Sequence, residues 1–441
     1  MNLGTTTGCL AGSLEARGPI PLGFGPMKVL ISAYACAPGM GSEPEVGFQA
    51  LLGALTRHEV WVLTQPHMVE LLAPALAERG LSELAHVVAI APRAPEEQAG
   101  LTALARTQLS HERWQRNAAR VALGLHAEVG FDVVHHVTLA AYWMRTGAAV
   151  VDAPLVWGPV GGALEPPLGL LGVLGRRGLA EDAVRTAARL GSWALPSRRA
   201  VADGAEVVLA QNAATAWRLR RAGDVRILPN ALAAAVAATP GPGPRRRDVA
   251  VVGRVVAWKA VPLAVRVLEH VPEDVALHVY GECGAGERVR ILKAVRRAGV
   301  EGRVHLHGKL PREQVLDRLA TSGVLLHPSL HDEAPVTVGE ALALGTPVVA
   351  LDHGGPPQVA AAFGGASRVS LVRPTTPART ARALGVAVVA MLDDLAPVGV
   401  HALVPDKDFQ GELLAAYDRA VGMDRGGRRK IASRNRGLFR R

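Results

Sequence analysis

HPSLHDEAPVTVGEALALGTPVVALDHGGPP, from His327 to Pro357, reads as strand, loop, helix and strand. The run VLLHPS, Val324 to Ser329, ends at a polar loop. Pro335 suits the first turn of a helix, and Gly345 with Pro347 stops that helix before the run PVVALD. A strand, a short helix and a second apolar strand make a parallel crossover. Such a crossover places the N–H groups of about Val336 to Val338, Thr337 included, at the carboxyl edge of the sheet, where they favour a phosphate. Asp332 lies in the loop and Glu340 in the helix, eight positions apart, so both carboxylates can face one cleft. Glu333 stands beside the first of them.

Working outward, the same alternation fills the chain. Before the stretch come DVAVVGRV (Asp248 to Val255), ALHVYGE (Ala276 to Glu282) and RVHLHG (Arg303 to Gly308), and after it SRVSLV. The first half repeats the pattern with KVLISAY from Lys28, EVWVLTQ from Glu59, HVVAIAP, DVVHHV from Asp132, PLVWGP, EVVLAQN and VRILPN. Helical stretches lie between them, among them VGFQALLGALTRH and a long Arg-rich segment from Arg176 to Ala202. Buried runs alternating with helices predict βαβ units and parallel sheets.

The alternation stops once, at AAAVAATPGPGPRRR, where Pro240, Pro242 and Pro244 make a stiff connection. The expected fold is α/β, with two Rossmann-like, doubly wound parallel-sheet domains facing a cleft. The expected boundaries are an extension over 1–26, a first domain over 27–240, a second over 241–405, a terminal helix over 406–423 and a basic tail over 424–441. Ligands of such sheets bind at the carboxyl ends of the strands, which directs attention to the cleft.

Composition supports a folded chain. Of 441 residues, 49% are hydrophobic, 20% charged and 4% aromatic, which is too apolar for disorder. The net charge is +10, and the last eighteen residues, DRGGRRKIASRNRGLFRR, supply eight cations against one Asp. The body is therefore close to neutral. The tail reads either as a solvated end or as an adhesion to anionic lipid; its one aromatic, Phe439, gives no interleaving for nucleic acid, and no nucleic-acid partner is expected. Cys9, Cys36 and Cys283 form no C-x-x-C and suit a reducing, cytoplasmic setting. Prolines and Asn230 interrupt the longest uncharged run, Ile227 to Pro244, so no membrane span is expected. The first 26 residues lack a secretory pattern, and Met27 is the expected start.

Chemistry concentrates at strand ends. In ACAPGMGSEPEVG, Gly39 and Gly41 allow a tight turn, and Ser42 with Glu45 has the spacing of a capping box. The third glycine of a dinucleotide fingerprint is absent, which disfavours a dehydrogenase. In VVGRVVAWKA, Gly253 and Arg254 end a strand and Lys259 follows five residues later. Two such cations can clamp a diphosphate, and Lys259 is one of only 6 Lys against 43 Arg. His305-x-His307 and the pair His327 and His331 give no three-ligand metal set. Asp406-Lys407-Asp408 precedes the terminal helix and reads as a cap.

These strings together resemble family 4 of the retaining glycosyltransferases, from Met27 to about Ala420. The resemblance rests on ISAYACAPGMGSEPEVG, FDVVHHVT, VWGPVGG, VVGRVVAWKA, HVYGE, HPSLHDEAPVTVGEA and PVVALDHGGPP. It implies the GT-B fold and transfer of a sugar, with retention, from a nucleotide-diphosphate sugar held by the second domain to an acceptor held by the first. It implies no cofactor and no metal. The family's E-x7-E pattern falls on Asp332 and Glu340, with Asp at the first position; Asp332 would address sugar hydroxyls, with Glu333 as the spare, and Glu340 the ribose. Arg254 and Lys259 would bind the diphosphate, and Gly41 would let the first-domain loop approach the donor. Gly253, Val336 and Thr337 complete the implied donor site. The acceptor-side histidine maps to His136, with His135 as the alternative.

The same architecture serves sugar-nucleotide epimerases and non-catalytic sugar-nucleotide binders, which remain the alternatives. The acceptor is expected to be a polysaccharide, a glycolipid or a lipid-linked intermediate. The apolar GGALEPPLGLLGVLGRR, Gly161 to Arg177, is either a segment that dips into the inner leaflet or one packed on the sheet. Arg-rich usage points to a bacterium with GC-rich codons.

Overall fold

In a computed structural model, residues 25–40, 42–91, 103–230, 243–364, 367–398, 402, 403, 405 and 408–424 are described. Gly41, the extension over 1–24, the proline-rich 231–242 and the tail beyond 424 lie outside them. All thirteen runs expected as strands are strands. They are β1 (Lys28–Ser32), β2 (Glu59–Thr64), β3 (Ala85–Ala89), β4 (Val133–His136), β5 (Leu155–Val160), β6 (Val207–Ala210) and β7 (Asp224–Ile227), then β8 (Asp248–Val252), β9 (Ala276–Tyr280), β10 (Val304–Gly308), β11 (Val324–His327), β12 (Val348–Leu351) and β13 (Val369–Val372).

Two parallel sheets result, ordered β3-β2-β1-β4-β5-β6-β7 and β10-β9-β8-β11-β12-β13. In each, the chain starts inside the sheet, winds to one edge and returns to wind to the other. The order reverses beside β1 and beside β8, the switch points where such sheets open a crevice. Central strands are buried on both faces, as in VVLA of β6 and DVAVV of β8. Their β-branched residues fit that environment. Ile31, Val62, Val133 and Val207 share one core of the first domain, and Val249, Leu277, Leu326 and Leu351 share one of the second. Each fully buried Val or Leu side chain is worth about 1.5 to 3 kcal/mol. No described helix is long and apolar enough to cross a membrane.

Several local expectations change. The Arg176 to Ala202 segment is two helices, Gly175–Ala194 and Pro196–Gly204, because Leu195 is extended ahead of a proline. The apolar loop packs instead of projecting. Leu170 and Leu174, in the 3-10 segment Leu168–Leu174, are buried in the second domain's core, and Leu168 is the one leucine of that segment that is largely exposed, at 86%. Glu45 accepts from the N–H of Gly39 at 2.9 Å and braces the glycine turn, while the Ser42 side chain of the expected capping box lies outside what is described.

The terminal helix, Phe409–Asp424, begins where Asp408 accepts from the N–H groups of Gln410 and Gly411, so that aspartate is a cap. The helix returns to the first domain and lies against Ser42–Leu55. Asp418 pairs with Arg57 at 2.5 Å, and the Tyr417 hydroxyl lies 2.9 Å from His135 Nδ1.

Candidate active site

A cavity of about 670 Å³ lies between the carboxyl ends of the two sheets. The first domain contributes Glu43, Gln211 and Asn230. The second contributes Gly253, Arg254, Lys259, Arg312, His331, Asp332, Glu333, Val336, Thr337 and Glu340. Every donor-side residue expected from the sequence within the described residues is thus on one wall.

Gly253 follows β8 with φ +125, a conformation that L side chains rarely adopt, and its open face meets the Lys259 side chain. Arg254 is exposed beside it and makes no ion pair among the described residues. Lys259 ends a 3-10 turn, Ala257–Lys259, and the left-handed Ala260 then starts the helix Val261–Val267. The Lys259 ammonium sits 2.5 Å from Asp332 Oδ2, and His327 Nε2 is 3.1 Å from the same oxygen. Burial by itself would raise the Asp332 carboxyl; the Lys259 charge and His327 overcome it and hold Asp332 well below the usual carboxylate range. Of the two cations expected to clamp a diphosphate, Lys259 is paired with Asp332 and Arg254 has no ion pair among the described residues.

The Asp332 loop is backed by the second glycine of DHGGPP. Gly355 donates to the Asp332 carbonyl at 2.9 Å, and a Cβ there would stand 2.4 Å from the Glu333 carbonyl oxygen. Glu333 is turned across the cleft. Its carboxylate accepts from Asn212 Nδ2 at 2.6 Å, Leu164 N at 3.3 Å and Thr215 Oγ1 at 3.4 Å, all from the first domain. Burial raises its pKa, and these donors offset that only partly. The spare carboxylate is therefore engaged as a bridge between domains.

The helix Val336–Ala343 follows Pro335, which caps it with no side-chain bond, so the N–H groups of Val336 and Thr337 face the cavity without an intrahelical acceptor. The buried Thr337 hydroxyl also has no partner among the described residues. Glu340, 4% exposed, is one turn inside; Arg312 Nη2 lies 2.6 Å from its Oε1. Burial pushes the Glu340 carboxyl up, and Arg312 opposes this. His331 also lines the wall, neutral, because burial and Arg185 push it down to about 3.

The first-domain wall differs from expectation. His136 ends β4, is 1% exposed and points Nδ1 towards Ser32 Oγ at 3.4 Å. Burial, then the charges of His111 and His135, push it down to about 3. His135 is held by Tyr417 on one nitrogen and by the Gly158 carbonyl, 2.7 Å away, on the other; burial pushes it down to about 4. Both rings belong to the packed floor and neither is on the cavity wall, because β4 is a central strand covered on both faces. Glu43 lines the cavity on that side instead. Its carboxylate accepts from Leu139 N at 2.8 Å, and burial raises its pKa.

Sequence reasoning missed Glu43, Gln211, Asn230, Arg312 and His331. Gln211 and Asn230 follow β6 and β7 and hydrogen-bond each other at 2.9 Å. Their place after apolar strands was the available signal. Arg312 carried none, being one of many arginines, here the first residue of the helix Arg312–Thr321.

Two facing parallel-sheet domains with this cleft define the GT-B fold of glycosyltransferases. More particularly, residues 239–384 match the family model of glycosyl transferases group 1. A D-inositol 3-phosphate glycosyltransferase of Xylanimonas cellulosilytica is 38% identical over 23% of this chain and 25% of that protein. A 2-deoxystreptamine glucosyltransferase of Streptomyces kanamyceticus is 30% identical over 40% of this chain and 46% of its own length. The matches thus span less than half of either relative. Among solved structures, the sucrose-phosphate synthase of Thermosynechococcus elongatus superposes with a TM-score of 0.55 at 18% identity, covering 94% of this chain and 98% of that one.

Proposed function

We propose that the protein is a retaining, family 4-like glycosyltransferase that moves a sugar from a nucleotide-diphosphate sugar to an acceptor, without a metal ion in the cleft. The observation that carries the reading is the convergence of Arg254, Lys259, the free N–H groups at Val336 and Thr337, and Glu340 on one cavity. Departure of the nucleoside diphosphate builds negative charge on its oxygens. Arg254 in a fork, Lys259 as a point charge and the helix N-terminus stabilise that charge in a partly closed cleft. Glu340 accepts from the ribose hydroxyls, and Arg312 opposes the upward push of burial on its carboxyl. To reach the diphosphate, the Lys259 ammonium turns from Asp332, and the released carboxylate then faces the donor sugar.

Acceptor hydroxyls enter from the first domain beside Glu43, Gln211 and Asn230. We read the acceptor as a polysaccharide, glycolipid or lipid-linked intermediate, handled in the bacterial cytoplasm or at the inner face of the membrane. The test is thermal stabilisation by UDP, GDP, ADP and their sugars in EDTA, on the wild type and on Lys259→Ala. Stabilisation by one nucleotide, lost in the variant, is expected; no shift with any nucleotide would overturn the reading.

A further inference from the structure

A second cavity, of about 630 Å³, opens on the second domain and shares no lining residue with the cleft among the described residues. The helix Val261–Val267 contributes Leu263 and Arg266 to it, and the helix Ala285–Ala298 contributes Arg290, Lys293, Ala294 and Arg297. The 3-10 segment Leu168–Leu174, from the first half of the chain, closes one side with Gly172 and Val173. Buried Leu263, with Val173 and Ala294, gives the cavity an apolar part. Around it stand four cations against one carboxylate, Glu269.

The cations are arranged, not scattered. Arg290, Lys293 and Arg297 follow one another at spacings of three and four residues and so share a face of their helix. Like charges at that spacing repel and cost the helix stability, so packing alone gives no reason for them. Arg290 is fixed from behind: its Nη1 donates to both Glu287 carboxylate oxygens, at 2.7 and 2.8 Å, and its Nη2 donates to the Val173 carbonyl. Gly175, at φ +68, makes room for this guanidinium, since a Cβ there would stand 3.0 Å from Arg290 Nε. Arg266 meets Glu269 only at 3.8 Å. Lys293 and Arg297 are exposed and make no ion pair among the described residues. The positive charge of the cavity is thus left largely uncompensated by the protein.

We propose that this cavity is a second ligand site, distinct from the cleft, that binds a phosphate ester through Lys293, Arg297 and Arg266. A phosphomonoester carries close to two negative charges and several acceptor oxygens, which suits guanidinium forks beside an ammonium point charge better than a single carboxylate would. The carbon part of the ester lies on Leu263, Val173 and Ala294. Small-ligand sites have volumes of about 300 to 1,000 Å³, a range that includes this cavity. The phosphate can belong to a soluble sugar phosphate or to the headgroup of an anionic phospholipid, and the recognising chemistry is the same.

The test uses the full chain with two probes: glucose 6-phosphate, titrated calorimetrically with glucose as the uncharged control, and phosphatidylglycerol vesicles, sedimented with phosphatidylcholine vesicles as the control. Lys293→Ala and Arg297→Ala should each weaken the bound probe about tenfold or more. Lys259→Ala, in the cleft, and Arg116→Ala, exposed on the first domain, should leave that binding unchanged. Dependence on Lys293 and Arg297 for glucose 6-phosphate assigns a soluble ester, and for the vesicles a lipid headgroup. No binding of either probe at millimolar concentration, or binding of neither that depends on Lys293 and Arg297, would overturn the proposal. Because both residues stand among like charges, their variants should keep or raise the melting temperature, which separates a lost ligand contact from a lost fold.

Discussion

Replacing Lys259 by Met would strand Asp332, and the size of the effect follows from the pair's geometry. Lys259 and Asp332 have side chains 20% and 19% exposed, 2.5 Å apart. At an effective dielectric of about 20, unit charges at that distance attract by roughly 7 kcal/mol, most of which the desolvation of both groups cancels. What a measurement reads on breaking such a pair is the stranded charge, about 3 to 5 kcal/mol. His327, 3.1 Å from the same oxygen, keeps one partner in place. The lower end, about 3 kcal/mol, is therefore expected for Lys259→Met.

In Lys259→Met combined with Asp332→Asn no charge is stranded, so the loss should shrink to about 1 kcal/mol, which sets the coupling at about 2 kcal/mol plus whatever Asp332→Asn costs alone by stranding Lys259. Urea midpoints of the four proteins at pH 7.5 measure it. The deficit of Lys259→Met should also narrow as pH falls, since a proton on Asp332 removes the stranded charge. In nucleotide binding the order reverses: Asp332→Asn frees Lys259 and should tighten a nucleoside diphosphate, whereas Lys259→Met should weaken it tenfold or more. Simple additivity of the two single variants in urea would refute the coupling.

Glu340→Gln should weaken nucleoside diphosphates by about 1.5 to 3 kcal/mol, the worth of a hydrogen bond to a charged group, and leave inorganic pyrophosphate nearly unchanged; equal losses in calorimetry would exclude a ribose role. His135 and His136 have folded values of about 4 and about 3, so below pH 6.5 the unfolded chain binds protons that the folded chain refuses. Their contribution is whole above pH 6.5 and falls at about 1.4 kcal/mol per unit per histidine on acidification. The raised Glu333 and Glu340 pull the other way. A clear drop in melting temperature from pH 7 to 5 is expected, and a flat profile would show that the histidines do not dominate. Leu170→Ala should cost about 2 to 5 kcal/mol, as a core leucine does; a loss below about 1 kcal/mol in urea would contradict its burial in the second domain.

Strands were legible because a parallel sheet buries both faces, and runs such as DVAVV leave few other readings. The donor wall was legible because its residues lie close in sequence to the ends of β8 and β11. The acceptor wall was not. Two adjacent histidines at a strand end look alike in sequence, and only the packing of Tyr417 against His135, 282 positions away, shows that the strand end is covered. Lys259 reads as a free cation until folding brings Asp332 to it across 73 positions. The break before Pro196 was readable from the proline itself.

The return of the terminal helix to the first domain means that the polypeptide passes between the two domains twice, once after β7 and once before Phe409. Two bodies joined at two points do not swivel freely. Their easiest relative motion is rotation about the line through both crossings, as a lid turns on a pair of pins. A fragment ending at residue 230 would lose Leu413, Ala416 and Tyr417 from its own core and should not fold alone.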